Sequence, residues 1–179
     1  MIVGVIADTK ELLSPTQFSE LQDVFRGVDA ILHAGPVGDV RVVDQLKKIA
    51  PTEAVCGNAE SQEIRSELYV RAVWRSRGLK IGLVHGYGEP HALMVSMLKQ
   101  FEKDPVDVIV YGNNFEPKAQ RVGTTYFFNP GSFSGRLPEG SRGMGPSRVG
   151  LLFIEGKKVE GQSLPFDFLR LKSGPWACS

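Results

Sequence analysis

Short apolar runs and helical stripes alternate along the chain. Ile2, Val3, Val5 and Ile6 form an apolar run without polar alternation that stops at Asp8, the pattern of a central strand buried on both faces. Ser14-Pro15-Thr16-Gln17 supplies an N-cap, a proline at the first helical position and a glutamine close to a capping box. Phe18, Leu21, Phe25 and Val28 follow at helical spacing, which predicts a helix over 15–27. Ala30 to Gly35 reads as a second strand, and Asp39 is placed to cap a helix with the stripe Val42, Val43, Leu46 and Ile49. Glu53 to Cys56 is a third strand, ending in Gly57-Asn58. This βαβαβ order argues for a parallel sheet with helices on its faces.

The pattern then changes. Residues 68–74 and 79–84 read as strands joined in a hairpin at Ser76-Arg77-Gly78, and the second ends in His85-Gly86. A helix is expected from near Pro90, with Met94, Met97, Leu98 and Phe101 inward. Val106 to Tyr111 is another buried strand, followed by Gly112-Asn113-Asn114. Strands are also expected at 117–122, 124–128, 147–154 and near 157–163. Residues 138–146 are rich in Gly, Ser and Arg and read as a mobile loop. Residues 1–164 are expected to form one domain, and 165–179 a C-terminal tail without an assigned structure.

Composition narrows the function. A net charge of +1, from 21 basic and 20 acidic residues, gives no support for a nucleic acid or an anionic membrane as partner. No apolar run reaches the roughly 18 residues of a membrane span, and the opening residues show no secretion signal, so the expected location is the cytoplasm. Cys56 and Cys178 make neither a metal spacing nor a disulfide framework.

Chemistry-bearing residues recur at strand ends, where α/β folds build their sites. They are Asp8-Thr9-Lys10, Gly35-Pro36, Gly57-Asn58, His85-Gly86-Tyr87, Gly112-Asn113-Asn114-Phe115 and Asn129-Pro130-Gly131-Ser132. In this order they resemble the calcineurin-like metallophosphoesterases, in particular the small bacterial and archaeal phosphodiesterases. Their blocks read D-x-H, G-D, G-N, H-G-H, G-H-T-H and N-P-G-S. The resemblance spans residues 1 to about 154, and it implies a four-layer α/β/β/α sandwich. It also implies a pair of divalent metals that polarise a phosphate and generate a hydroxide.

The departures are as informative as the matches. Of the seven ligand positions the resemblance implies, Asp8, Asn58 and His85 are kept, whereas Lys10, Pro36, Asn113 and Phe115 stand in place of ligands. Pro36 takes the place of the bridging carboxylate and has no donor in its side chain. Lys10 is expected to pair with Asp8, and Phe115 to fill the former cavity. The expected function is therefore a scaffold with a degenerate metal site that acts through a protein partner or a ligand, as the retromer subunit of eukaryotes does with this fold. No cofactor is expected, or at most weakly bound Mn, Zn or Fe. Two rival readings stay open: a weakly active phosphodiesterase using Asp8, Asn58 and His85, and a sensor that holds a phosphate-containing small molecule with Lys10, Asn113 and Asn114. Bland readings stand beside these. Asp8 could serve as a helix cap or a loop carboxylate, Asn58 and Asn113-Asn114 as ordinary turn residues, His33 as a core or hydrogen-bonded histidine, and His91 as a surface residue or a replacement ligand. Arg136, Arg142 and Arg148 either reach the rim or stay solvated.

Overall fold

A computed structural model describes residues 1–57, 60–86, 92–112, 116–135 and 145–166. The chain opens with β1 (Ile2–Ile6), α1 (Pro15–Val24), β2 (Ala30–His33), α2 (Arg41–Lys47) and β3 (Thr52–Ala54). α3 (Gln62–Glu67) leads into the hairpin β4 (Arg71–Ser76) and β5 (Leu79–His85). Then come α4 (Leu93–Gln100), β6 (Val108–Gly112), β7 (Lys118–Val122), β8 (Thr125–Asn129), β9 (Arg148–Glu155) and β10 (Lys158–Pro165).

The strands form two five-stranded sheets, ordered β10-β9-β1-β2-β3 and β4-β5-β6-β8-β7. β1, β2 and β3 are mutually parallel, as their short crossovers through α1 and α2 require, and β9 runs antiparallel to β1. Val3, Val5, Leu32 and Leu152 of the first sheet pack on Leu79, Ile81, Leu83, Val108 and Val110 of the second, and close an inner core between the sheets. The opposite face of the first sheet, with Ile6 and Ile31, packs on Leu21 of α1 and on Val42, Val43 and Leu46 of α2. The outer face of the second, with Val84, Ile109 and Phe127, packs on Met97 of α4 and on Phe101. The result is the expected helix-sheet-sheet-helix layering. Both faces of the central strands are covered, which is why they carry continuous apolar runs.

Local chemistry sets most boundaries. Ser14 caps α1 by accepting from the Gln17 N–H (3.2 Å) while Gln17 Oε1 accepts from the Ser14 N–H (2.9 Å), a complete capping box. The hairpin turn is the two residues Arg77 and Gly78, both at positive φ (48° and 77°), the backbone shape that matches the twist of the paired strands.

Several expectations are corrected. α1 ends at Val24, because Phe25 leaves the helical region to lay its ring over Gly4. α2 starts at Arg41 with Val40 as its N-cap. The Asp39 carboxylate accepts instead from the Arg41 N–H (2.9 Å) and guanidinium, a local turn before the helix. α3 is an element the apolar pattern does not reveal: its six residues bury one side chain, Ile64, and Ser61 caps it (3.4 Å). β4 begins three residues later than the apolar pattern suggests, because Leu68 to Val70 follow α3 directly. β10 continues to Pro165, and Phe166 beyond it is buried. The expected start of a helix near Pro90, His91, and most of the loop 138–146 lie outside the described residues.

Each sheet brings a glycine under an aromatic ring of its outer layer. A β-carbon at Gly82 in β5 would stand 2.7 Å from Phe101 Cζ, in a fully packed layer. Gly82→Ala is expected to lower stability by about 1–3 kcal/mol in urea unfolding, with part of the loss recovered by adding Phe101→Leu.

Candidate functional site

The carboxyl ends of β1, β2, β5 and β6 meet at one corner of the molecule. After β1 the chain hydrogen-bonds to the turn after β2, Asp8 N–H to the Gly35 carbonyl and Thr9 N–H to the Pro36 carbonyl, both at 3.2 Å. Asp8 and Lys10 both take positive φ (61° and 58°), so this loop turns sharply at the rim.

His33, at the end of β2, is completely buried and staples the two loops together. Its Nδ1 accepts from the Gly35 N–H (3.1 Å), which leaves the proton on Nε2. Nε2 donates to Thr9 Oγ1 (3.1 Å), and that hydroxyl donates to the Val37 carbonyl (2.8 Å). Burial pushes the His33 pKa down to about 4, so the ring is neutral at pH 7. The histidine is thus hydrogen-bonded in the core, one of the two structural roles expected of it.

Asp8 faces the segment after β8. Its Oδ2 accepts from the hydroxyls of Ser132 and of Ser134, the latter at 2.6 Å, and the two hydroxyls lie 3.0 Å apart. Two backbone bonds fix the segment: Phe133 N–H to the Ala7 carbonyl (2.9 Å) and Ser134 N–H to the Asp8 carbonyl (3.0 Å). Asn129 Oδ1 accepts from the Gly131 N–H (2.9 Å) and shapes the turn that delivers Ser132. The expected ion pair between Lys10 and Asp8 is not among the ion pairs of the described residues. Lys10 is exposed, and hydroxyls satisfy the carboxylate in its place.

Pro36 and His85 sit close together across Gly57. A β-carbon on Gly57 would stand 3.4 Å from Pro36 Cγ and 3.5 Å from His85 Cδ2. Burial lowers the His85 pKa, against the opposing influence of the Gly112 and Ala34 carbonyls and of the Asp8 and Glu60 charges. His85 Nδ1 is buried and has no hydrogen-bond partner among the described residues. Glu60 reaches the same corner, where its Oε1 accepts from the Val37 N–H at 2.6 Å. Among the described residues no group of three or more His, Cys, Asp or Glu side chains is placed to hold a metal.

The corner therefore gathers Asp8, Pro36 and His85. Asn58, Asn113, Asn114 and Phe115, as well as Arg136 and Arg142, lie outside the described residues. Arg148 is half-buried, and its Nη1 donates to Ser163 Oγ (3.0 Å). Sequence reasoning missed two functional-site neighbours, Ser134 and Glu60. Ser134 stands two residues past the N-P-G-S block, and Glu60 three past Gly57; a search for polar residues just beyond each strand-end block would have found both.

With this geometry in hand, comparison with known proteins is decisive for ancestry. Residues 1–148 match the calcineurin-like phosphoesterase superfamily domain. The chain belongs to that superfamily. It is 29% identical over 170 residues to a probable metallophosphoesterase of Methanothermobacter thermautotrophicus, covering 90% of this chain and 91% of that protein. In structure it is similar to an archaeal phosphodiesterase (TM-score 0.68, 21% identity, 92% of this chain and 100% of that one). It is also similar to Vps29 from Entamoeba histolytica in complex with zinc (TM-score 0.67, 24% identity, 93% and 100%). Both likenesses establish the fold. Among the described residues no helix is long and apolar enough to cross a membrane.

The buried neutral His33 sets a pH dependence. Its folded pKa lies below its unfolded value of 6.5, so the unfolded chain takes up the proton first as pH falls. Its contribution is complete above about pH 6.5 and is lost by about pH 4, a change of about 3 kcal/mol. Unfolding free energies measured across this window should fall for the wild-type chain and show a shallower slope for His33→Gln.

Proposed function

We propose that this metallophosphoesterase-fold protein carries a degenerate metal site and acts by binding a protein partner or a phosphate-containing small molecule, without hydrolysis. The observation that carries the reading is Pro36. At the turn where the superfamily resemblance places the carboxylate shared by two metals, this chain has a pyrrolidine ring packed near His85. Catalytic zinc sites typically use three protein ligands. The described donors are Asp8, with Oδ2 taken by two hydroxyls, Glu60, with Oε1 taken by the Val37 N–H, and the single imidazole of His85, and they are not grouped to hold a dinuclear centre. Lys10, exposed beside Asp8, adds positive charge where a cation would have to enter. The reading includes no resident cofactor, no nucleic acid or membrane as partner, and a cytoplasmic location.

One observation favours a second reading, a weakly active phosphodiesterase with one loosely held Mn, Zn or Fe. His85 Nδ1 is a buried nitrogen without a partner among the described residues, and Asp8 and Asn58 stand at positions the resemblance assigns to ligands. The relatives named as phosphoesterases and the zinc-bound Vps29 are consistent with it.

Two measurements separate the readings. Protein purified without chelator is expected to contain far less than one Mn, Zn or Fe per chain. With added manganese it is expected to hydrolyse a generic phosphodiester no faster than His85→Ala. Near-stoichiometric metal, or a rate well above that control, overturns the proposal. Calorimetry with phosphate on the wild type and on Lys10→Ala tests the role of Lys10 as an anion contact: binding that weakens on substitution supports it, and unchanged binding removes it.

A further inference from the structure

The outer helical layer leaves one strip of the first sheet bare. α1 and α2 cover β1, β2 and β3, while the pair β9–β10 extends beyond them. On the helix side this pair presents Val149, Leu151 and Phe153 from β9, opposite Leu164, Gln162 and Glu160 from β10. Val149 is buried in the helix-side core and Leu164 packs against it. Leu151 is half-buried, Phe153 is 39% exposed, and Ile2, directly across from Phe153, is 37% exposed. These side chains adjoin, so they form a continuous apolar strip rather than scattered surface residues. Two exposed carboxylates border Phe153 on the same face, Glu160 across the ladder and Glu155 two residues on. Lys158 stands opposite Glu155.

The chain leaves β10 on this same face. Phe166 turns into the helix-side core against Phe133 (ring centroids 5.0 Å apart), and its N–H donates to the Ser147 carbonyl (2.6 Å). The 13 residues 167–179 follow. The strip from Leu164 to Glu160 is roughly 13 Å long, and 13 residues reach about 20 Å even at the short rise of a helix. Those residues bring Phe168, Leu169, Leu171 and Trp176 as apolar matter, and Arg170 and Lys172 as cations to meet Glu155 and Glu160.

We infer that residues 167–179 dock on the bare β9–β10 strip, with their apolar side chains on Ile2, Leu151 and Phe153 and their basic residues beside Glu155 and Glu160. The inference stands apart from any catalytic or binding role of the Asp8 corner. The test uses the full chain: tryptic cleavage after Arg170 and Lys172, followed by fragment mass, and acrylamide quenching of Trp176 taken as the difference from Trp176→Phe. Phe153→Glu is expected to speed that cleavage about tenfold and to raise Trp176 quenching, because cleavage follows the population of the undocked segment. Glu155→Gln/Glu160→Gln, a change at exposed positions that leaves the core untouched, is expected to speed cleavage about threefold at low salt, with less effect at high salt. Cleavage and quenching unchanged in both variants overturn the inference. So does a wild-type dimer that Phe153→Glu splits without altering cleavage, which would mean that a second copy covers the strip.

Discussion

Gly112 is the point on which the functional corner depends. A β-carbon there would stand 2.7 Å from Ala7 Cβ and 2.8 Å from the carbonyl oxygens of Ala34 and Gly35, so the end of β6 touches the ends of β1 and β2 almost backbone to backbone. Elsewhere two facing sheets keep about 10 Å between them to seat their side chains. At this corner the residues are small, the sheets close, and loops from both reach one another. Asp8, Pro36, His85 and Ser132 become neighbours for that reason, though they are spread over more than a hundred residues of chain.

What holds the corner is hydrogen bonding by neutral groups and two carboxylates, Asp8 and Glu60. His33, Thr9 and the Val37 carbonyl form a fully satisfied buried chain, the condition under which buried polar groups stabilise rather than cost. Ser132 and Ser134 satisfy Asp8. The two loops at this corner thus have fixed positions of their own, held by protein groups alone. The contacts to Asp8 run through the segment that also carries Phe133, so the Asp8 corner and the start of the C-terminal segment at Phe166 share one support.

Much of this was legible in the sequence, for physical reasons. Strands buried on both faces show as continuous apolar runs, so β1, β2, β5 and β6 were readable, and the polar residues at their ends marked the rim. The hairpin at Arg77-Gly78 and the box at Ser14 were readable because backbone geometry restricts the residues at such places. α3 was not, because a helix burying only Ile64 leaves no stripe. The absence of a Lys10–Asp8 pair was not readable either. Proximity in sequence suggested the pair, but the left-handed backbone at residues 8 and 10 and the approach of two serines from over 120 residues away decided otherwise. Glu60 escaped notice because its place just past Gly57 marks it as near the rim, but its partner, the Val37 N–H, lies more than twenty residues away in the chain.

The staple made by His33 has a consequence for how such a chain can drift through evolution. Where loops are cross-linked by an ion, losing a ligand also weakens a tie that holds the fold. Here the crossover between the first two strands is tied by an imidazole, a hydroxyl and two peptide groups, none of which coordinates anything. On such a frame a side chain at a neighbouring rim position can be exchanged without cutting a tie that holds these two loops.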